Sequence, residues 1–354
     1  MRGEFWAGKK ILVTGHTGFK GAWLALWLTS LGARVAGYAL KPPSDPSLWQ
    51  LVEAKAGIAS TIADIRDQER LSKAIHAFQP EIVLHLAAQS LVRPSYEDPA
   101  GTYATNVMGT VNLLEAVRRT PGVRAVVNVT SDKCYQNLET GQAYRESDPM
   151  GGRDPYSSSK GCAELVTTAY RASFFDDADA LALASARAGN VIGGGDWAAV
   201  RIVPDMVRAA VVGKPVLVRN PHAIRPWQHV LEPLSGYLQL AERLCAAPRQ
   251  FAEGWNFGCN DEDAVPVETL VSSVARLWGP PAGWTTDQGP HPHEAHFLKL
   301  DSTKARTRLG WRPRLRLQTA LEWTVEWYKK QARGADARQL TLAQIERYMS
   351  LPPA

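Results

Sequence analysis

The sequence predicts an α/β fold in which a doubly wound parallel sheet is followed by a smaller, loop-rich C-terminal part. Short apolar runs alternate with helical segments through the first half of the chain, a pattern typical of a parallel sheet with helices on both faces. A glycine-rich turn separates the first apolar run from the first helical segment. After Arg187, Gly and Pro interrupt the chain often, as they do in loops that close over a ligand.

The individual elements of the first half follow from this alternation. Strands are predicted where apolar, β-rich runs are bounded by turn residues, at Lys10–Thr14, Arg34–Ala39, Ile58–Ala63, Ile82–Leu86, Ala125–Thr130 and Leu181–Ala186. Helices are predicted between these strands, at Gly18–Leu31, Gln68–Phe78, Ala100–Arg119 and Pro155–Phe174. We therefore expect one domain over residues 1–186 and a second over residues 187–354, with the chain crossing between the two.

Composition and charge exclude several classes of protein. Of the 354 residues, 45% are hydrophobic and 21% are charged, which is ordinary for a folded globular chain and not for a disordered one. The net charge of +5 comes without a long basic run, so we expect a weak preference for anionic ligands and no nucleic-acid partner. The most apolar stretch is interrupted at Gly32 and predicts a buried helix and strand rather than a membrane span.

The cysteines and the N-terminus bear on metal binding and compartment. Cys134, Cys162, Cys245 and Cys259 lie far apart and form no CxxC pair, so neither a zinc site nor a disulfide framework is indicated, and we expect no metal. The N-terminus has no apolar signal core. We therefore expect a protein of the reducing cytoplasm.

The glycine-rich turn has the spacing of a dinucleotide-binding turn. Gly15, Gly18 and Gly21 follow the first predicted strand and open a helix. Such glycines allow a tight turn, a close approach of the backbone to a pyrophosphate, and close packing of the helix on the sheet, with the helix N-terminus facing the anion. We therefore predict a Rossmann-type first domain in which these glycines, together with Thr17 and Phe19, bind a dinucleotide cofactor.

The ends of the next strands would contact the rest of the cofactor. No acidic residue follows the second strand, where the chain runs from Tyr38 to Lys41; this permits NADP with Lys41 near a ribose phosphate, or NAD held by main-chain or hydroxyl contacts. Asp64, followed by Ile65, either accepts from an adenine amino group or caps the helix that begins at Gln68. The fourth strand ends in residues suited to close contact with a cofactor, Leu86, Ala87 and Ala88.

Tyr156 and Lys160 form a candidate proton-transfer pair. Their spacing of four on a predicted helix places both side chains on one face. A lysine cation near a phenol lowers the phenol pKa from about 10, so we expect a lowered pKa for Tyr156 and a phenolate able to act as base on a substrate hydroxyl. Ser131, after the fifth strand, would share this proton; otherwise it is a turn serine. Together with the glycine turn, these residues indicate a hydride-transfer site that also uses Lys160 to bind the cofactor.

These motifs resemble those of one enzyme family. The chain is similar to the nucleotide-sugar 4,6-dehydratases of the extended short-chain dehydrogenase/reductase superfamily, and within them to the branch that acts on CDP-D-glucose. The resemblance covers most of the chain and rests on the segments Gly15–Gly21, Thr130–Tyr135, Tyr156–Lys160, Gly189–Trp197 and His293–Ala295. The pair Asp132-Lys133 favours the CDP-D-glucose branch, because the relatives that act on dTDP-glucose have Asp-Glu at this place.

The resemblance implies a cofactor and a reaction. The cofactor would be NAD, and the reaction would be loss of water from CDP-D-glucose to give CDP-4-keto-6-deoxy-D-glucose. Tyr156 would take the proton of the 4-hydroxyl while hydride leaves C4; a base then removes the C5 proton, an acid protonates the departing 6-hydroxyl, and the hydride returns to C6. Asp132 would serve as the acid and Lys133 as the base.

For Asp132 and Lys133 to act as acid and base, both side chains must reach one substrate and Lys133 must be able to lose its proton. Adjacent residues of a regular strand point to opposite faces, so both reach one substrate only at an irregular strand end; otherwise the pair is an exposed charged turn. A free lysine is protonated at neutral pH, so a base role for Lys133 needs burial or a second cation such as Lys160. Without them, Lys133 stays protonated and pairs with Asp132 or polarises the 4-keto oxygen.

Candidate substrate contacts and the assembly follow the family more loosely. We expect Ser90 to meet hexose hydroxyls, Asn190 and Arg201 to hold the diphosphate and neighbouring groups, and Arg225 to bind a phosphate in bidentate fashion. Either arginine could instead be a surface charge. Members of the family commonly dimerise through the last two helices predicted above, so the resemblance implies a homodimer or a dimer of dimers.

Two other functions stay open from the sequence. An NAD-dependent nucleotide-sugar epimerase of the same superfamily would use the glycine turn and the Tyr–Lys pair, but it would not need Asp132 and Lys133 for elimination. A nicotinamide-sensing regulator would keep the fold without turnover. The joint presence of Ser131, Tyr156 and Lys160 argues against a regulator.

Overall fold

The structure is a computed structural model that describes residues 3–53, 57–139, 141–176, 181–287, 289 and 297–352. Its strands are β1 (Lys10–Thr14), β2 (Arg34–Ala39), β3 (Ala59–Ile62), β4 (Ile82–His85), β5 (Ala125–Val129), β6 (Ala182–Ala188), β7 (Val191–Ile192), β8 (Val216–Val218), β9 (Ile224–Pro226), β10 (Gln228–His229), β11 (Gly254–Phe257), β12 (Ala264–Pro266) and β13 (Trp284–Thr286). Its α-helices are α1 (Gly3–Trp6), α2 (Phe19–Ser30), α3 (Leu48–Val52), α4 (Gln68–Phe78), α5 (Val92–Glu97), α6 (Pro99–Tyr103), α7 (Gly109–Arg118), α8 (Pro155–Phe174), α9 (Ile202–Val211), α10 (Leu231–Ala246), α11 (Pro248–Phe251), α12 (Val267–Trp278), α13 (Leu317–Ala332) and α14 (Ala337–Met349). The motif His293–Ala295 lies outside the described residues.

A parallel sheet of seven strands forms the centre of the molecule. The strands lie in the order β3, β2, β1, β4, β5, β6, β11, and every neighbouring pair is parallel. The chain order reverses between β1 and β4, so this is the point at which an open α/β sheet leaves a crevice at the carboxyl ends of its strands. The predicted doubly wound α/β fold is therefore confirmed.

Helices cover both faces of this sheet and divide the core into two layers. One layer packs α2 and α10 against the sheet, with α14 packed on α2 and α13 packed on α14, and it includes the fully buried Trp23, Trp27 and Trp255. The other layer packs α4 and α7 against the opposite face through residues such as Leu71 and Leu113. No helix in the described part of the chain is long and apolar enough to span a bilayer.

The predicted helix Ala100–Arg119 is divided in the structure. A π-helical segment, Ala104–Met108, separates α6 from α7. Asn106 in this segment accepts from the Gln89 N–H at 2.9 Å through Oδ1 and donates to Ser159 Oγ at 2.8 Å through Nδ2. The extra residue of the π-helical turn thus lets a buried side chain join the loop after β4 to α8, which helical periodicity alone does not predict.

The sequence prediction omits the seventh strand, β11. Gly254 and Asn256 have low strand propensity, whereas the strand is stabilised by the complete burial of Trp255 and Phe257 and by its pairing with β6. β6 itself continues to Ala188, beyond its predicted end. The chain therefore returns to the central sheet after residue 187.

The loop after β7 is fastened to helices from both ends of the chain. Trp23 of α2 donates to the Gly194 carbonyl at 2.9 Å, and the Tyr328 hydroxyl of α13 donates to the Asp196 carbonyl at 2.5 Å. A Cβ on Gly194 would lie 2.1 Å from Cγ of Trp327, so only glycine allows this approach. The loop is thereby held over the carboxyl edge of the sheet.

Glu232 anchors the C-terminal helix from the interior. Its Oε1 accepts from the backbone N–H groups of Arg314 and Leu315 at 2.9 and 2.7 Å, and its Oε2 accepts from the Tyr348 hydroxyl at 2.8 Å. Burial raises the pKa of Glu232 to about 7, although these hydrogen bonds oppose the rise. Removing one donor leaves a buried carboxylate under-satisfied.

We expect Tyr348→Phe to lower the free energy of unfolding by about 1–3 kcal/mol, because it removes a hydrogen bond to the buried Glu232 carboxylate. The matched control is Tyr237→Phe, since the buried Tyr237 hydroxyl has no hydrogen-bond partner among the described residues; its loss should change stability by less than about 0.5 kcal/mol. Urea denaturation at pH 8 measures both. Equal losses in the two variants would show that Glu232 does not anchor α14.

Candidate active site

The glycine turn forms the closest contact between β1, α2 and β4. Gly15 has a φ of +75° and donates its N–H to the Tyr38 carbonyl at 2.9 Å. A Cβ on Gly15 would lie 2.8 Å from the Ala87 nitrogen, and one on Gly21 would lie 2.1 Å from the Gly15 carbonyl oxygen. Gly18 caps α2 without a side-chain hydrogen bond, so the first N–H groups of this helix are available to an anion.

A cavity of about 980 Å³ opens at this edge of the sheet. All of the residues predicted for cofactor binding line it, namely Gly15, Thr17, Gly18, Phe19, Gly21, Asp64, Ile65, Leu86, Ala87, Ala88, Tyr156 and Lys160. So do the other candidates for catalysis and substrate binding, namely Ser90, Ser131, Asp132, Lys133, Asn190, Arg201 and Arg225. Residues far apart in sequence thus share one space that is large enough for two extended ligands.

A buried histidine fixes the ends of β1 and β4 relative to each other. Thr14 Oγ1 lies 2.6 Å from Nδ1 of His85 and accepts from the N–H groups of Leu86 and Ala87, both at 3.2 Å. Burial lowers the pKa of His85 to about 3, with Lys160 adding to the effect, so His85 is neutral at pH 7. The backbone beside the glycine turn is therefore rigidly placed.

The structure decides one of the two alternatives for Asp64, after β3. The cap of α4 is Asp67, whose carboxylate accepts from the Arg70 N–H at 3.0 Å, so the capping alternative for Asp64 is wrong. Asp64 instead pairs with Arg66 at 2.6 Å, and hydrogen bonds from Arg66 lower the pKa of its carboxyl. The Asp64 carboxylate is thus ionised and faces the cavity.

His16, within the glycine turn, occupies the space beside β2. Its Nε2 lies 2.7 Å from Ser60 Oγ, and its ring packs edge-on against Trp49. A Cβ on Gly37 would lie 2.3 Å from Cγ of His16, so glycine is required there. Burial lowers the pKa of His16 to about 4. Sequence reasoning missed this residue, because the spacing of the glycines does not predict where the side chains between those glycines lie.

The end of β5 is irregular, as a shared role for Asp132 and Lys133 requires. Residues Asp132–Cys134 form a 3₁₀ turn capped by Ser131, whose Oγ accepts from the Lys133 N–H at 3.2 Å. The Ser131 hydroxyl donates to Asp132 Oδ1 at 3.0 Å. Both Asp132 and Lys133 face the cavity, because the turn abolishes the alternation of a regular strand.

Asp132 is a buried carboxyl group with one uncommitted oxygen. The residue is 3% exposed, and its Oδ2 accepts no hydrogen bond from the described residues. Burial raises its pKa, against the opposing charges of Lys133, Lys20 and Arg225. Such a carboxyl group is suited to hold and deliver a proton.

The pKa of Tyr156 is not lowered as the sequence predicts. Burial raises it to about 12; hydrogen bonding with Ser131 and the charge of Arg201 work against the rise. Lys160 Nζ instead donates to the Val129 carbonyl at 3.4 Å, and burial lowers the pKa of Lys160 to about 8. The expectation from spacing alone is wrong because it ignores the loss of water around both groups.

Lys20 is a further cation in the cavity that sequence reasoning missed. It is half-buried on the first turn of α2 and lines the cavity. Burial lowers its pKa to about 8, helped by Arg201 and Lys160 and opposed by Asp132. Its position in the sequence, directly before Gly21 and inside the glycine turn, could have identified it as a residue of the cavity.

The two arginines predicted for substrate binding both reach the cavity from the second half of the chain. Arg201 donates through Nη1 to Asp196 Oδ2 at 2.9 Å and through Nη2 to Ser90 Oγ at 3.2 Å. Arg225, on β9, is 7% exposed and donates to the Ile224 carbonyl at 3.0 Å. Neither is a free surface charge. Within the described residues, no cluster of three His, Cys, Asp or Glu side chains could hold a metal.

The fold and the site define a dinucleotide-dependent enzyme of the short-chain dehydrogenase/reductase type, and comparisons with known proteins agree. Residues 12–324 match the family model described as GDP-mannose 4,6 dehydratase, so the chain belongs to this family of nucleotide-sugar dehydratases. It is 56% identical to the CDP-glucose 4,6-dehydratase of Salmonella typhimurium over 98% of each chain. It is 28% identical to the dTDP-glucose 4,6-dehydratase of Xanthomonas campestris, over 90% of this chain and 92% of that one.

A solved structure of similar fold has a dinucleotide bound. The UDP-glucose 4-epimerase of Thermus thermophilus, in complex with NAD, superposes with a TM-score of 0.77 at 25% identity, over 92% of this chain and 99% of that one. The fold is therefore shared between dehydratases and epimerases, and the residues of the cavity must decide between the two activities.

Lys160→Met should stabilise the free protein at neutral pH. Because the pKa of Lys160 falls from 10.5 to about 8 on folding, the unfolded chain binds the proton more tightly, and the cost of burying the ammonium is present below pH 8 and disappears as the pH rises toward 10.5. At about 1.4 kcal/mol per pKa unit, the variant gains up to about 3 kcal/mol at pH 7.

Urea denaturation at pH 7 and pH 10 measures this gain, which should shrink at the higher pH. Lys73→Met is the control, because Lys73 is an exposed lysine paired with Glu69 on α4, and its loss should matter by less than about 0.5 kcal/mol at either pH. A loss of stability in Lys160→Met at pH 7 would contradict the prediction.

Proposed function

We propose that the protein is a CDP-glucose 4,6-dehydratase that converts CDP-D-glucose to CDP-4-keto-6-deoxy-D-glucose. The observation that carries this proposal is the capped turn after β5, which brings Asp132 and Lys133 into the same cavity as Tyr156. An elimination needs an acid and a base beyond the group that deprotonates the 4-hydroxyl. The identity of 56% with the Salmonella enzyme supports the same substrate.

The cofactor is NAD, as in the related structure that contains it. The residues present fit a dinucleotide: the glycine turn admits close backbone approach at Gly15, and the uncapped N–H groups of α2 would bind its pyrophosphate. Thr17, Asp64, Ile65 and the residues Leu86 to Ala88 line the same cavity and would contact the rest of the dinucleotide. When bound there, NAD would supply the hydride acceptor for oxidation at C4 of the sugar and the hydride donor for reduction at C6.

Tyr156 takes the proton of the 4-hydroxyl. Its phenol has a pKa of about 12 in the free protein, so a cation must favour the phenolate when the substrate is bound. Arg201 already acts in this direction, and Lys160 lies one helical turn from Tyr156 on α8. Ser131 shares the proton, since its hydroxyl is placed between the phenol and Asp132.

Asp132 protonates the departing 6-hydroxyl, because its raised pKa favours the protonated acid and its Oδ2 is uncommitted. Lys133 lies beside it and acts at C5, either as the base or as a cation that stabilises the charge developing on the 4-keto oxygen. An epimerase of the same superfamily would need no such pair. An epimerised hexose product would therefore point to that alternative.

The substrate lies between the two parts of the chain. Arg225 is buried and positively charged, so it is suited to a phosphate of the CDP group, and Asn190 lines the same cavity. Ser90 and Arg201 contact each other and would meet the hexose and its neighbouring phosphate. We assign residues 1–186 to the cofactor and residues 187–354 to the sugar nucleotide, with the chain returning to the sheet at β11.

The assembly and compartment are inferred from the same family. We expect a homodimer or a dimer of dimers in the cytoplasm, with the segment α6 to α7 and helix α8 at the interface. Large apolar side chains are exposed on these helices, Met108, Leu165 and Phe174 among them, and an interface would remove them from water.

The purified protein incubated with CDP-D-glucose and NAD should form the 4-keto-6-deoxy product, detected by mass spectrometry as a loss of water. Tyr156→Phe should slow this reaction by about 100- to 10,000-fold, because it removes one acid/base group and almost no volume. Tyr103→Phe, at an exposed tyrosine outside the cavity, is the matched control and should keep full activity. No product from the wild type would overturn the function, and an unaffected Tyr156→Phe would overturn the role of Tyr156.

Lys133→Met separates the two roles of Lys133. If Lys133 is the base, the variant should still oxidise C4 and accumulate reduced nicotinamide, but it should fail to exchange the C5 proton with deuterated solvent. Absorbance at 340 nm and deuterium incorporation into recovered sugar measure the two steps. Normal exchange at C5 in this variant would leave Lys133 an electrostatic role and assign the base elsewhere.

A further inference from the structure

A buried ion pair lies beneath the catalytic turn, and the reaction steps above assign it no role. Glu164 and Arg187 are 2% and 4% exposed. Arg187 donates to both carboxylate oxygens, through Nε at 2.9 Å and through Nη2 at 2.8 Å. The carboxylate also accepts from Thr130 Oγ1 at 2.5 Å and from Ser185 Oγ at 2.6 Å. Each of these donors to Glu164 of α8 lies on β6 or directly after β5.

The ion pair is bonded to both ends of the catalytic segment. Thr130, which donates to Glu164, directly precedes Ser131. Tyr135, which ends the 3₁₀ turn, accepts from Nη1 of Arg187 at 2.6 Å, and the guanidinium lies over its ring. Residues 131–134 therefore lie between Thr130 and Tyr135, whose hydroxyl groups are both hydrogen-bonded to the same ion pair.

The ion pair also lies next to the residues of α8 that face the cavity. Tyr156, Lys160 and Glu164 are spaced by four, so they share one face of the helix. Burial lowers the pKa of Lys160, and the charge of Glu164 opposes this effect. The other titratable groups near Lys160 are Cys134, which also opposes it, and Lys20 and His85, whose own pKa values Lys160 lowers.

Stability alone does not account for this arrangement. A buried ion pair costs much desolvation, and replacing both partners with apolar groups of similar size is often neutral or stabilising. Besides the hydrogen bonds within the pair, Glu164 accepts from Ser185 and Arg187 donates to the Glu146 carbonyl, and the two shortest bonds on each side of the pair include those of Thr130 and Tyr135, which flank the catalytic turn. This placement indicates a role in geometry.

We propose, on the basis of the dehydratase function given above, that Glu164 and Arg187 are positioning residues: they hold segment 130–135 against α8 and place a negative charge one turn from Lys160. Ser131 and Asp132 then meet the sugar in register with Tyr156. The hydroxyls of Thr130 and Tyr135 are the links through which the pair acts.

Deleting either hydroxyl tests the links while Glu164 and Arg187 stay paired. The Tyr135 hydroxyl also donates to Asn256 Oδ1 at 2.7 Å, so Thr130→Val is the more specific of the two. Thr130→Val and Tyr135→Phe should each lower kcat by about 10- to 100-fold, as misplacement of reacting groups does, while KM for CDP-D-glucose stays near the wild-type value because Arg225 and Asn190 are untouched. Thr130→Ser keeps the hydroxyl and should restore most of the lost kcat.

The matched control is Thr167→Val. Thr167 is also a buried threonine that joins α8 to β5, since its Oγ1 accepts from Asn128 Nδ2 at 2.7 Å; its own hydroxyl donates to the Ala163 carbonyl rather than to Glu164. Its variant should keep the kcat of the wild type at a temperature where all variants are folded. If Thr130→Val and Tyr135→Phe kept the same kcat as this control, the proposal would be overturned.

The charge of Glu164 has a readout that needs neither substrate nor cofactor. In protein labelled with ¹³C at the lysine ε-carbon, NMR follows the titration of Lys160, assigned by Lys160→Met. The double variant Glu164→Gln/Arg187→Met, which removes both charges so that neither is left unpaired, should move the midpoint of Lys160 to lower pH. An unchanged midpoint would overturn the electrostatic part. A shifted midpoint in a protein whose wild type is inactive on CDP-D-glucose would support the electrostatic part and refute the dehydratase function.

Discussion

The geometry of the cavity depends on hydrogen bonds at the carboxyl ends of three neighbouring strands. β1, β4 and β5 are adjacent in the sheet, and they end in the glycine turn, in the backbone after His85 and in the turn capped by Ser131. A shift of one residue in any of them would move its side chains to the other face. Thr14 prevents this between β1 and β4 by accepting from two backbone N–H groups, and Thr130 ties the end of β5 to α8.

The same site contains ionisable groups whose pKa values are shifted by burial. Burial raises the pKa of Asp132 and lowers those of Lys160 and Lys20 to about 8. In each case the desolvated charge is disfavoured, so the site is less stable than an apolar cavity of the same shape would be. The large apolar core around α2 and α10 offsets that cost. The placement of reactive groups and the packing of the core are therefore linked through the free energy of folding.

The sequence predicts the elements that depend on a local pattern of residues, and it does not predict features that depend on contacts between distant parts of the chain. β1, the glycine turn and α2 follow from neighbouring residues, and the elements agree closely with the structure. β11 is held by burial against β6 rather than by its own propensity, and no local pattern marks it. The direction of the pKa of Tyr156 is wrong in the sequence prediction because spacing reveals the neighbouring lysine and not the loss of water. His16 and Lys20 escape notice because a motif defined by glycines leaves the side chains between them undescribed.

Helix α2 connects the two ligand-binding parts of the cavity, which explains its composition. Its N-terminus lies at the glycine turn, and its Trp23 holds the loop in which Asp196 orients Arg201. All positions from Gly21 to Leu28 are buried. One side of the helix packs on the sheet, and the other packs on that loop and the C-terminal helices. A helix that is apolar on all sides is stable only when it is buried on all sides. The cofactor end and the sugar end are therefore placed relative to one buried element. The sequence identifies Arg201 and Ser90 as candidates, but not Asp196 as the partner of Arg201, because the position of the loop that holds Asp196 depends on Trp23 and Tyr328, which are distant in sequence.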